Sequence, residues 1–327
     1  MEKIAVINIT SFGREFPEYI EELESKVGKV DKFLLPADMD GATLAERLDG
    51  YSYILLGNYP QFDETFFSLQ KDVKLIARHG IGYNNIDLES AKRHGVFVTV
   101  IPHVVEEDAV AEQAAALLMA VSKNIVRADQ KVHIGQWNIN RQEIMGYQLR
   151  NGVTGIIGCG HIGKRMAQIM KYGFHNRILA YDPYLSKEDA DLLGVELCDL
   201  ITLLQTSDFI SLHANLNENS KHLINAETLQ HVSKHAILIN TGRGGLVDEE
   251  ALADALEQGQ LAGYGADVAG YEPMDVNSRL LKMANVTITP HSAIYNRTCM
   301  SHMNRKVMED VYLVASGKRP NEIINGL

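Results

Sequence analysis

A short apolar stretch, Val153-Thr154-Gly155-Ile156-Ile157, runs straight into Gly158-Cys159-Gly160-His161-Ile162-Gly163 and then into the helical pattern Lys164 to Lys171. Three glycines at this spacing mean little alone, but between a strand and a helix they prescribe a geometry. Gly158 permits the tight turn, Gly160 lets a ligand approach bare backbone, and Gly163 lets the helix lie close to the strand. The first N–H groups of such a helix have no partner within it, and its dipole adds positive partial charge, so the turn suits a pyrophosphate. A chain with this turn is held to an open, mostly parallel sheet covered by helices. The next strand pattern, Arg177-Ile178-Leu179-Ala180-Tyr181, ends at Asp182. An acidic side chain there accepts hydrogen bonds from ribose hydroxyls and repels a 2′-phosphate, which predicts NAD rather than NADP. Cys159, inside the turn, is read as a small residue filling its slot rather than as a redox switch.

The turn sits within a longer pattern. Ile4 to Ile9, Tyr53 to Leu56, Leu75 to Ala77 and Val96 to Thr99 read as strands, with helical stretches such as Glu15 to Val27 and Leu88 to His94 between them. Strand patterns resume at Gly152 to Gly158, Ile178 to Asp182, Phe209 to Leu212, Ala236 to Asn240, Gly265 to Val268 and Val286 to Thr289. Such alternation predicts parallel sheets flanked by helices. Between the two runs, Asp108 to Val121 is dense in alanine, the strongest helix former, and predicts a buried helix. Ile125 to Tyr147 carries the single tryptophan, Trp137, and shows little strand pattern. A chain of 327 residues is too long for one ordinary domain. The two runs predict two doubly wound α/β domains, the second inserted into the first: 1–101 with 299–327, and 102–298.

Composition narrows the function. Apolar residues make up 46% and charged residues 22%, the balance of a globular protein. The formal net charge is −11, and without basic runs such a chain is a poor ligand for nucleic acid. No apolar run approaches the ~20 residues of a membrane-spanning helix, and the N-terminus reads as a strand rather than a signal peptide. Cys159, Cys198 and Cys299 are scattered and odd in number, which fits a reducing compartment and predicts a cytoplasmic protein.

Three more strand patterns end in polar side chains. Ala236 to Asn240 leads to Thr241-Gly242-Arg243-Gly244-Gly245-Leu246-Val247-Asp248; Gly265-Ala266-Asp267-Val268 leads to Glu272-Pro273; Val286 to Pro290 leads to His291. Ligands of open α/β sheets bind beyond the carboxyl ends of the strands, so Arg, Glu and His reach one crevice. Together they could reduce a ketone. Histidinium supplies a proton near neutral pH, a carboxylate orients and stabilises it, and arginine grips a substrate carboxylate and polarises the carbonyl. The cofactor supplies the hydride. One histidine among twelve would carry no weight alone; its place beside the other two does.

The glycine turn with Asp182, the segment Asn240 to Asp248, Glu272-Pro273 and Thr289-Pro290-His291 together resemble the D-isomer-specific 2-hydroxyacid dehydrogenases. So do Arg78-His79-Gly80-Ile81-Gly82-Tyr83-Asn84-Asn85-Ile86-Asp87 and Val110-Ala111-Glu112. The resemblance implies a Rossmann NAD-binding domain inserted into a flavodoxin-like substrate domain, with the site in the cleft between them. It implies Arg243, Glu272 and His291 as the catalytic set. It places Gly158, Gly160, His161, Ile162, Gly163, Asp182, His213, Thr241, Asp267 and Ser292 at the cofactor, Asp267 holding the nicotinamide carboxamide. It places Arg78, His79, Gly80, Ile81 and Gly82 at the substrate, whose carboxylate the 80–82 loop grips through backbone N–H groups. Asn58, Tyr83 and Tyr295 are further lining candidates. No metal is implied; a homodimer is, with Val110 to Trp137 contributing.

The chain departs from the family pattern at Gln113, where relatives usually carry histidine, at Asn84, and in His213-Ala214-Asn215-Leu216-Asn217. None of these falls on the Arg–Glu–His set. The expected activity is reduction of a small 2-keto acid. Oxidation of 3-phosphoglycerate is disfavoured because Gly57-Asn58-Tyr59-Pro60 offers no cation, and no regulatory domain is expected beyond Leu327. Formate oxidation is disfavoured by Glu272. A phosphite-type dehydrogenase and an NAD-sensing interaction module of the corepressor type stand as alternatives.

Overall fold

The computed structural model describes residues 2–138 and 140–327. The chain forms two compact units, one of residues up to Glu106 together with Tyr295–Leu327, the other Glu107–Ile294.

The first unit is built on β1 (Glu2–Ile7), β2 (Gly28–Phe33), β3 (Tyr53–Leu56), β4 (Leu75–Arg78) and β5 (Phe97–Thr99). They pair in parallel in the order β2-β1-β3-β4-β5, the flavodoxin-like order. β3 and β4 are buried along their whole length, as central parallel strands covered on both faces must be. Three of the covering helices start on aspartates: Asp40, Asp63 and Asp87 accept the N–H of Thr43, Phe66 and Ser90. Beneath them Leu44, Phe62, Phe66, Ile76 and Val98 form the core. The helix Arg297–Ala315 brings the end of the chain back to this unit; Asp310 on it accepts the hydroxyl of Thr99 at 2.7 Å. β2 escapes the sequence reading. It is an edge strand whose Lys29, Asp31 and Lys32 stand where a central strand needs apolar residues.

The second unit holds β6 (Val153–Ile157), β7 (Arg177–Tyr181), β8 (Glu196–Leu197), β9 (Phe209–Leu212), β10 (Ile237–Asn240), β11 (Gly263–Ala266) and β12 (Val286–Ile288). All are parallel, in the order β12-β11-β10-β9-β6-β7-β8. The connections run one way from β6 to β8 and the other way from β9 to β12, so the switch point lies between β6 and β9. A crevice opens beyond the strand ends at such a point. β11 begins and ends two residues earlier than expected, and β8 is only two exposed residues, too short to show as a pattern. The alanine-rich helix runs His103–Ser122, and its Ala111, Ala114, Leu117 and Leu118 pack with Ile156, Met166 and Ile178. Ile125–His133 is also helical. Among the described residues no single helix is long and apolar enough to cross a membrane.

Candidate active site

Strand order puts the polar residues in a row. His291 follows β12, Asp267 and Glu272 follow β11, Arg243 follows β10, His213 follows β9, the glycine turn follows β6, and Asp182 follows β7. Sheet neighbours lie ~4.8 Å apart, so successive strands bring these side chains to one edge.

His291 Nδ1 lies 2.7 Å from Glu272 Oε2. Glu272 Oε1 accepts the N–H of Ala269 at 3.0 Å. Burial pushes the Glu272 carboxyl up, but the hydrogen bond and charge of His291, the Ala269 N–H and the nearby Arg243 outweigh it, and the group ends below its ordinary value. It therefore stays ionised at neutral pH. The two side chains are 37% and 39% exposed, so a small molecule can reach them.

Arg243 stands in a turn whose shape comes from Asn240. Asn240 Oδ1 accepts the N–H of Gly242 at 3.1 Å, and its Nδ2 donates to the Arg243 carbonyl at 3.0 Å. A Cβ on Gly244 would lie 1.9 Å from the Ala269 carbonyl oxygen. Absence of a side chain there lets the arginine turn lie against the backbone that leads to Glu272. Asn240 has no assigned role in the sequence reading. Its signal is that it is a polar residue at the end of a buried strand, which must find partners.

Asp267 is tied to the loop that follows β12. It is 1% exposed. Its Oδ1 accepts from Thr289 Oγ1 at 2.5 Å and Ser292 N at 2.9 Å, and its Oδ2 from Ala293 N at 2.8 Å. The carboxylate therefore braces the 289–293 loop that carries His291. Gln113 is not remote from the loop that carries His291 either: its Nε2 donates to Thr289 Oγ1 at 3.0 Å. The helix holding it is distant in sequence, so spacing alone hid that contact.

The glycine turn fits a dinucleotide. Gly158 has φ +86°, in the left-handed region, and a Cβ there would lie 2.5 Å from Ala214 N. A Cβ on Gly163 would lie 2.1 Å from the Gly158 carbonyl oxygen. A Cβ on Gly160 would meet no atom within 4 Å. The two outer glycines close the turn, and the middle one faces open space at the start of the helix His161–Gln168, which no side chain caps. That is room for a pyrophosphate. Asp182 is pinned beside it, accepting Cys159 N at 2.7 Å and Tyr184 N at 2.8 Å. Cys159 is 1% exposed, and burial pushes its thiol up to about 11, so it is no reactive thiolate. His161 is exposed, 3.4 Å from Glu107; Ile162 is half-buried. His213 contacts Ser211 Oγ at 2.9 Å and Thr241 Oγ1 at 3.3 Å. Burial pushes its ring down to about 3, so it is neutral, with both nitrogens engaged.

In the first unit, Arg78 is buried and donates to the carbonyls of Leu56 and His79, at 3.1 and 2.8 Å, and to Asn58. His79 Nε2 lies 2.8 Å from Asn304 Oδ1, and burial pushes the ring down to about 4. Both side chains brace the interior beneath the bend at Gly80-Ile81-Gly82. Tyr83 and Tyr295 are exposed.

The family model for the NAD binding domain of D-isomer specific 2-hydroxyacid dehydrogenases matches residues 115–293. A glyoxylate reductase of Korarchaeum cryptofilum is 38% identical over 265 residues, 80% of this chain and 79% of that protein. One of Thermococcus litoralis is 34% identical over 319 residues, 95% of each. The apo structure of D-lactate dehydrogenase from Escherichia coli superposes with a TM-score of 0.85 at 29% identity, covering 98% of this chain and 99% of that one. With a family match spanning more than half its length and a relative 34% identical over 95% of both chains, the chain belongs to the D-isomer specific 2-hydroxyacid dehydrogenases and is an NAD-dependent oxidoreductase.

Proposed function

We propose that this enzyme reduces a small, unphosphorylated 2-keto acid to the 2-hydroxy acid, of D configuration where that carbon is a stereocentre, and catalyses the reverse. The 2.7 Å contact of His291 Nδ1 with Glu272, which follow β12 and β11, with Arg243 following β10, the next strand in the sheet, supports this most directly. Bound as NADH, the cofactor supplies the hydride. With Nδ1 tied to Glu272, Nε2 is the ring nitrogen left for substrate. The protonated ring gives its Nε2 proton to the keto oxygen as the carbon is reduced, leaving an alcohol and a neutral imidazole. Glu272, ionised, fixes the ring and stabilises it while it is cationic. Arg243 pairs with the substrate carboxylate and stabilises the oxygen as negative charge develops. In the oxidative direction, neutral Nε2 takes the hydroxyl proton.

Asp182 and the glycine turn hold the dinucleotide, together with Ile162, Thr241 and Ser292. The 80–82 loop is assigned to the substrate carboxylate, with Arg78 and His79 as its support. That Arg78 is bonded to its own unit's carbonyls speaks against a phosphate clamp there. The test is NADH consumption with glyoxylate, pyruvate, hydroxypyruvate and phosphohydroxypyruvate, on wild type and His291→Ala. Turnover of an unphosphorylated acid, reduced by about two to four orders of magnitude in the variant, is expected. Turnover of the phosphorylated acid alone would reverse the substrate assignment. NADH binding without turnover of any would favour the NAD-sensing alternative.

The same reading includes a homodimer and residence in the cytoplasm. Ile134, Trp137 and Met145 are 68%, 78% and 71% exposed, an apolar surface suited to a second copy of this chain. Light scattering on wild type and Trp137→Asp tests it: dimer and monomer, respectively, are expected. The three cysteines are unpaired, as in a reducing compartment.

A further inference from the structure

Gln113 projects from the alanine-rich helix toward the end of β12. Its Nε2 is 3.0 Å from Thr289 Oγ1, which is 2.5 Å from Asp267 Oδ1. The carboxylate also takes the N–H groups of Ser292 and Ala293. Proton inventory fixes every direction in this chain. A carboxylate can only accept and a threonine hydroxyl has one proton, so Thr289 donates to Asp267 and its own oxygen accepts from the glutamine amide. His291 stands inside the bracket, two residues after Thr289 and immediately before Ser292. It needs holding: its φ is +51°, in the left-handed region that residues with a β-carbon disfavour. The same ring must keep Nδ1 against Glu272.

We infer that Gln113 is a positioning residue for His291, acting through the Gln113–Thr289–Asp267 hydrogen-bond chain. The amide donor fixes the threonine rotor on Asp267, and Asp267 fixes the loop on which the imidazole is mounted. The role requires an N–H donor at position 113. Glutamate of the same size lacks the proton and sets a second carboxylate against the one hydroxyl. Alanine leaves the rotor free. Histidine has a ring N–H and can replace the amide. The inference rests on the acid–base role proposed above for His291.

The test compares Gln113→Ala, Gln113→Glu and Gln113→His with wild type, measuring kcat and KM for the keto acid, NADH affinity by fluorescence, and melting temperature. Loss of one neutral hydrogen bond predicts a kcat about three- to tenfold lower in Gln113→Ala. Gln113→Glu falls further, Gln113→His stays near wild type, and NADH affinity is unchanged in all three. Wild-type kcat in Gln113→Glu would overturn the inference. So would a histidine variant as slow as alanine, or a loss of NADH affinity in place of kcat. Should the glutamate variant not fold, Thr289→Val breaks the same chain. Combined with Gln113→Ala it is expected to be no slower than the slower single variant, and additive losses would overturn the inference. Full activity in His291→Ala would instead sink the acid–base reading itself. Loss in His291→Ala with all Gln113 variants at wild-type rate would sink this inference alone.

Discussion

Adding one methyl group at each glycine of the 158–163 turn should separate the turn's two tasks. A Cβ on Gly163 would lie 2.1 Å from the Gly158 carbonyl oxygen, deep inside contact distance of backbone that cannot swing away. Overpacking of this kind costs about 1–3 kcal/mol. For a unit of this size that is about 2–12 °C of melting temperature. Gly158→Ala meets Ala214 N at 2.5 Å with φ +86° and should destabilise at least as much. Gly160 is different. Its φ of −72° and ψ of −157° suit alanine, and the new methyl meets nothing within 4 Å. The weaker N-cap and the smaller entropy of the unfolded chain oppose each other, so apo stability should move by less than about 0.5 kcal/mol. The methyl does fill the space over the helix N-terminus. Displacing a pyrophosphate enough to lose one charged hydrogen bond costs about 1.5–3 kcal/mol, roughly ten- to a hundredfold in NADH affinity. Scanning fluorimetry of the apo proteins and NADH fluorescence titration read the two quantities separately. A Gly160→Ala protein that melts as low as Gly163→Ala while binding NADH normally would refute the reasoning.

Glu272→Gln keeps the size of the side chain but removes the charge that stabilises the protonated ring; kcat for reduction should fall about ten- to a hundredfold, and an unchanged rate would remove Glu272 from the mechanism. His79 is held down to about 4 from an ordinary 6.5, so the unfolded chain takes up its proton first as pH falls. Its contribution is whole above pH 6.5 and is lost as pH drops toward 4, up to about 3 kcal/mol. Denaturant melts of wild type and His79→Gln at pH 7.5 and ~4.5 should show a shallower decline in the variant, and parallel declines would exclude His79 as the source. Asp182→Ala should narrow the preference for NAD over NADP and also loosen the Cys159 turn, lowering affinity for both; a kinetic ratio unchanged from wild type would displace the ribose assignment.

Much of this enzyme is legible along the chain because parallel α/β architecture writes itself in local signals. Central strands buried on both faces are continuous apolar runs, and β3, β6 and β9 are visible for that reason. The glycine turn is legible because its demands on φ and on close approach can be met by glycine alone. Arg243, Glu272 and His291 are legible because ligands of such sheets gather at strand ends. Edges hide: β2 carries charge where solvent meets it, and β8 is two residues long.

Sequence by itself thus determined the class of fold, the dinucleotide turn and the residue types available for proton transfer. Tertiary structure alone decided which polar groups meet. It turned Asp267 inward as the brace of the 289–293 loop, put Asn240 under the arginine turn, and brought Gln113 to Thr289 across a gap of 176 positions. Local signals arise from one residue and its near neighbours, whereas a hydrogen bond between distant segments exists only once packing has fixed both partners to within a few tenths of an ångström.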